Sequence, residues 1–161
     1  MTSGCSAGGE RGLTSGEVAL VHLVFGAAID CAAVRIHRRR WWPLQPREVT
    51  MAPMGHLHFS PASASYCDDF GAASLALQGH FIHEMAHVWQ SQSRGRWYLP
   101  THRHPFCRYH YRLRPGAALT SYGIEQQAEI VRHGFLIGRG LTPPGSGDPE
   151  AYSRLLNFAQ A

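Results

Sequence analysis

The chain has 161 residues and a mass of 17.8 kDa, enough for one domain with a substantial core and too little for two of ordinary size. Only 16% of residues are charged, the 11 histidines equal all the acidic residues together, and 44% are hydrophobic, which excludes an intrinsically disordered chain. A formal charge of +4 suggests a mildly basic surface, not the dense cationic coating of an obligate nucleic-acid binder. So much imidazole raises metal binding and proton transfer together, because histidine serves both near neutral pH.

Cys5, Cys31, Cys67 and Cys107 are widely spaced without a C-x-x-C pair, so neither a cysteine zinc site nor a disulfide framework is expected. The apolar stretch Val18 to Ile29 is about half of a membrane span and contains His22, and no signal-peptide outline is visible. A cytoplasmic protein is the expectation, with export by a signal-independent system left open.

In chain order, residues 1–12 are rich in Gly, Ser and Ala and read as a frayed tail, with a single domain over 13–161. Thr14-Ser15-Gly16-Glu17 has capping-box spacing, and Val18, Val21, Phe25 and Ala28 recur helically, predicting a helix over 15–29. Residues 33–37, 48–51 and 56–59 alternate apolar with polar side chains and predict strands of a small, largely antiparallel sheet. A loop over 60–72 leads to a helix over 74–93, where Leu77, Phe81, Met85 and Val88 form one stripe. Residues 94–118, punctuated by Pro100, Pro105 and Pro115, read as a long loop. A second long helix is predicted over 119–138, striped by Ile124, Ala128, Val131 and Phe135, and a short one over 149–159.

The chemistry is carried by His83-Glu84-Met85-Ala86-His87, an H-E-x-x-H inside the first long helix. Residues four apart share a helix face, so His83 and His87 can bind one Zn2+ while Glu84 stands beside it as general base. Two ligands hold an ion poorly. Glu125 and Glu129 share one face of the second long helix, and two His plus one Glu with water is a known catalytic zinc set. Glu125 is assigned as third ligand and Glu129 as the acceptor that orients a ligand histidine, with the reverse order as the alternative. The implied reaction is hydrolysis of a peptide bond in a peptide or protein substrate. Tyr122, one turn before Glu125, is the first candidate to stabilise the oxyanion, with His104, Tyr109, His110 and Tyr111 as rivals.

These motifs give the chain a family likeness. Phe81-Ile82-His83-Glu84-Met85-Ala86-His87-Val88-Trp89-Gln90, followed by Gly123-Ile124-Glu125-Gln126-Gln127-Ala128-Glu129, resembles the zincin-like metallopeptidases of the glutamate-ligand (gluzincin) kind. Phe25-Gly26, Ile29-Asp30, Val34-Arg35-Ile36-His37 and Leu57-His58-Phe59-Ser60-Pro61 resemble more narrowly the small bacterial Vgr-related proteins and the zincin-like domains near contractile injection and type VI secretion systems. The similarity covers residues 13–138. It implies an α+β zincin fold with the sheet packed on the motif helix, His83, His87 and Glu125 as zinc ligands, and Glu84 as the catalytic residue. Its gap between His87 and Glu125 is wider than in compact gluzincins.

Other features have plainer readings. Arg35 to Trp42 mixes basic and aromatic residues as single-strand nucleic-acid sites do, but a solvated strand end with Trp41 and Trp42 packed inward is favoured. Trp89, Trp97 and Phe106 are expected to pack the motif helix against the long loop. His80 is expected to face solvent, and His133 to pair with Glu129. A non-enzymatic accessory or interaction protein of a secretion or phage-tail-like apparatus, built on the same scaffold, is the alternative function.

Overall fold

A computed structural model describes residues 4–158. The first helix, α1 (Ser15–Phe25), begins at the expected capping box: the Glu17 amide donates to Thr14 Oγ1 (3.1 Å) and the Thr14 amide to Glu17 Oε2 (2.8 Å). Burial of the Glu17 carboxylate is balanced by Arg11, which donates to both its oxygens at 2.8 Å, and by the Phe70 amide at 3.1 Å. The helix stops at Phe25, short of the predicted 29, because Gly26 takes a positive φ of 56°.

Arg11 belongs to an element that sequence reading placed in a frayed tail. Glu10–Arg11 forms β1, antiparallel to β2 (Ile36–His37), and the exchange between residues 8–9 and Arg38 extends the pairing. Residues 1–3 of the expected tail lie outside the described residues. In turn, β2 pairs in parallel with β3 (Leu57–His58), giving the order β1-β2-β3. The sheet is thus mixed, with one antiparallel and one parallel pair. The strand expected over 48–51 reduces to a single bridge between Met51 and His58. Gln45 explains this, since its side-chain amide donates to Val49 O at 2.7 Å and occupies a carbonyl that a longer ladder would use.

An aromatic series, Phe59 on Phe70 and Phe70 on Phe81, runs from the end of β3 to α2 (Leu75–Arg94). Alongside α2 lies α4 (Ile124–Gly138), the most extensive helix pairing in the fold. Gly79 permits the close approach, because a Cβ there would stand 3.1 Å from Leu136 Cδ2. Helix α4 starts at Ile124, not 119: Leu119–Ser121 is a 3-10 turn, and Tyr122 is extended before the Gly123 cap. The predicted loop over 94–118 contains one short helix, α3 (Tyr98–His102). The last helix, α5 (Pro149–Leu155), starts at an Asp148 cap with Pro149 in its first turn, and position 159 of its predicted span lies outside the described residues. The molecule is α+β, with its core between the sheet, α1, α2 and α4. No helix among the described residues is long and apolar enough to cross a membrane.

Candidate metal centre

Helices α2 and α4 bring the expected residues together. His83, His87 and Glu125 are buried, each offering a ligand atom within 4.8 Å of the others. The Oε2 of Glu125 lies 3.4 Å from His83 Nε2 and 3.2 Å from His87 Nε2. Ligand atoms around tetrahedral zinc, at bond lengths near 2.0–2.1 Å, stand about 3.3 Å apart, so the two separations from Glu125 match those of zinc ligands and the group could hold such an ion.

The opposite ring nitrogens are tied down. His83 Nδ1 meets Glu129 Oε1 at 2.7 Å, and His87 Nδ1 meets Gln90 Oε1 at 2.9 Å. Both partners are acceptors, so each Nδ1 carries a hydrogen, which leaves the Nε2 atoms as the metal-facing ones. Glu129 is held in turn by Arg132 and His133, each at 3.3 Å, and His133 Nδ1 bonds the Tyr111 hydroxyl. Gln90 is fixed because its amide donates to Ile124 O and Gln127 Oε1, both at 3.0 Å. Sequence reading missed Gln90 and Gln127; their signal was spacing, since Gln90 lies one turn beyond His87 on the motif helix.

Charge follows this geometry. Burial alone would lower the His83 pKa, but hydrogen bonds to Glu125 and Glu129 and the Glu84 charge outweigh it and raise it to about 9. Burial would raise the Glu125 carboxyl, yet the His83 and His87 contacts and Arg103 hold it well below the usual range. Glu129 is depressed in the same way, by His133, His83 and Arg132 against its burial. In the metal-free centre His83 therefore carries a proton that a cation would displace. Glu84 contributes a buried Oε2 that no protein donor reaches, a carboxylate oxygen left available at the centre.

A cavity of about 330 Å3 opens on Glu125, walled by Trp41, Met51, Leu99, Pro100, Arg103 and Tyr109 among others. Arg103 is ion-paired with Glu125 Oε1 through its Nε. Tyr109 lies over His83, ring centroids 6.3 Å apart and nearly parallel, and shares the cavity wall with Arg103. Tyr122 is placed elsewhere: its hydroxyl accepts the Arg114 amide at 2.8 Å, its ring carries the Arg114 guanidinium at 4.7 Å, and it lines a separate groove beside α5. Among its rivals, His104 lines the cavity, His110 offers only its carbonyl to Gln126, and Tyr111 faces His133 and Tyr152.

Several bland expectations also change. His80 is half-buried, not solvent-facing, and bonds Thr50 Oγ1 at 2.8 Å. Trp89 does pack, against Phe158, but Trp41, Trp42, Trp97 and Phe106 are exposed. His133 pairs with Glu129 as expected. The four cysteines are free thiols.

Fold and site together define an α+β domain with a candidate His-His-Glu metal centre, its ligands divided between two packed helices. No family model matches the chain. It is similar to the solved effector domain of Pseudomonas aeruginosa VgrG2b, with 37% identity and a TM-score of 0.70 over 94% of this chain and 85% of that one. It is also 41% identical over 133 residues to the type VI secretion system spike protein VgrG2b of Pseudomonas aeruginosa, a match that takes in 78% of this chain. The chain spans 13% of that spike protein's length. The chain belongs to the family of the VgrG2b effector domain.

Proposed function

We propose that the chain is an effector domain of a type VI secretion apparatus and that it hydrolyses peptide bonds in a protein substrate with zinc. The link to the apparatus is supported by the spike protein and effector domain it is similar to. The hydrolytic reading is carried by one observation: three buried zinc-type donors converge within 4.8 Å of one another beside the unpartnered Oε2 of Glu84.

His83, His87 and Glu125 would hold Zn2+, which when bound supplies Lewis acidity toward the scissile carbonyl and the attacking water. Glu84 takes a proton from that water and returns it to the leaving amine. Glu129 and Gln90 hold the ring orientations of His83 and His87. The hydroxyl of Tyr109, on the cavity wall beside His83, replaces Tyr122 as the donor to the oxyanion, since Tyr122 is committed to Arg114. Arg103, on the cavity wall, restrains the third ligand through its ion pair with Glu125 Oε1.

A second reading, in which the domain acts by binding alone, is favoured by that same Arg103, because the third ligand is already neutralised by a guanidinium. The two readings part on Glu84→Gln. Under the hydrolytic reading, the variant keeps its zinc and loses cleavage of a quenched fluorescent peptide library that the wild type cleaves. Equal cleavage by both proteins, or none by zinc-loaded wild type, would overturn it.

A further inference from the structure

All 15 basic residues of the chain are arginine, and they are unevenly placed. Eleven fall in two segments, 35–47 and 94–114, which together contain no Asp or Glu and hold three of the four tryptophans. Both segments reach the cavity, Trp41 from the first and Arg103, Pro105 and Tyr109 from the second. Its mouth is thus bordered by one charge sign.

Exposed apolar side chains concentrate in the same two segments, which meet at the cavity. Among the described residues nine large hydrophobic side chains are exposed, and seven of them lie within 41–49 and 97–109. Phe106 is 85% exposed, Leu44 74%, and Trp41 and Trp42 43% each. Leu44 and Phe106 are not part of the cavity wall, so an occupant of the cavity does not account for their exposure. Each follows a proline, Pro43 or Pro105, which stiffens the chain beneath it. Exposed apolar groups clustered in this way mark an interaction surface.

We propose that this face docks on an anionic bilayer surface. Trp41, Trp42, Leu44 and Phe106 enter the interfacial layer, where tryptophan is favoured, while Arg39, Arg40 and Arg108 meet the lipid phosphates. Charge complementarity selects the partner. Glu48, just past the first segment, is paired with Arg47, and Glu10 is shared by Arg39 and His37, so neither acid stands free to oppose approach. A nucleic acid would use the arginines and tryptophans but gives the aliphatic Leu44 no stacking partner. Docked in this way, the cavity mouth faces the membrane and meets polypeptide segments close to it. The inference does not depend on whether the centre is hydrolytic.

The test is sedimentation of the zinc-loaded chain with vesicles of phosphatidylglycerol and phosphatidylethanolamine, beside vesicles of phosphatidylcholine alone, with tryptophan emission as a second readout. Binding to the anionic vesicles with a blue shift, weakened by salt and absent on phosphatidylcholine, is expected. Leu44→Asp with Phe106→Asp, and separately Arg40→Glu with Arg108→Glu, should each weaken binding by at least about tenfold. All four side chains are exposed, so unchanged circular dichroism is expected. The proposal is overturned by absence of binding, by equal binding to both vesicle types, or by variants that bind as wild type. Salt-sensitive binding of single-stranded DNA without vesicle binding would instead assign the face to nucleic acid.

Discussion

Two groups of histidines sit in this fold and have opposite chemistry. Between α2 and α4, His83 and His87 each commit Nδ1 to a neighbour and turn Nε2 toward one carboxylate oxygen of Glu125. On the sheet, His37 and His58 stack with ring centroids 4.4 Å apart, His56 meets His37 edge-on at 5.7 Å, and the Glu10 carboxylate that contacts His37 is shared with Arg39. The electrostatics diverge accordingly. Carboxylates raise His83, whereas burial and then the charges of His37, His56 and Arg39 lower His58 to about 4. Fixed rings that share a carboxylate make a candidate metal centre, and abundance alone makes only a neutral stack.

The largest effect that separates the two groups should come from Glu84→Gln, which is predicted to lower peptide cleavage by about 10²–10⁴-fold with zinc content unchanged. His58→Gln should leave cleavage near wild type. Steady-state assays would break the comparison if the sheet variant proved as damaging as the helix variant. Tyr109→Phe should follow at about 10²-fold in kcat, as expected for loss of one oxyanion donor.

Glu129→Gln tests the support of the ligands. With the acceptor of His83 Nδ1–H weakened, zinc affinity should fall about 10–100-fold in a chelator competition. A wild-type affinity would show that His83 needs no such partner.

Acid and base should act on the two groups at different pH. His58 titrates at about 4 in the folded chain against 6.5 ordinarily, so the unfolded chain takes up the proton first and stability is lost as pH falls from 6.5 to about 4. The depressed carboxyls of Glu125 and Glu129 contribute stability above their ordinary value of 4.5, and it is lost as pH falls through and below that value. His83, raised to about 9, contributes fully below 6.5 and ceases to contribute as pH rises through 9. Urea midpoints of the metal-free protein should therefore be highest near pH 6.5, and His58→Gln should flatten the decline between 6.5 and 4. An unchanged decline would remove the sheet histidines from the account. The smallest effect is expected for Tyr122→Phe, a stability loss of about 1 kcal/mol from the Arg114 amide contact and no loss of cleavage.

Much of the centre was legible because helical periodicity makes spacing equivalent to geometry. His83, His87, Glu125 and Glu129 could be placed on helix faces, and Glu129, expected to orient a ligand histidine, meets His83 Nδ1 at 2.7 Å. Tyr122 lies away from the centre for the converse reason. It precedes the Gly123 cap in extended conformation, so proximity in sequence to Glu125 did not translate into a shared face. Arg103 and the placement of Tyr109 over His83 were hidden in a proline-broken segment without periodicity, where only tertiary contacts decide direction. The sheet was legible in position but not in pairing, because two-residue strands have too little pattern to specify register or direction, and Gln45 takes the Val49 carbonyl of the strand expected over 48–51. Exposure of Trp41, Trp42 and Phe106 ran against their composition, which by itself suggests burial.

The claim on which the rest depends is that α2 and α4 hold one zinc ion between them. Calorimetric titration of zinc into metal-free wild type, His83→Ala and Glu125→Ala, with circular dichroism to verify folding, addresses it directly. One ion per chain on the wild type, with affinity lost by more than about 100-fold in both folded variants, is the predicted result. Equal stoichiometry and affinity in all three proteins would contradict it.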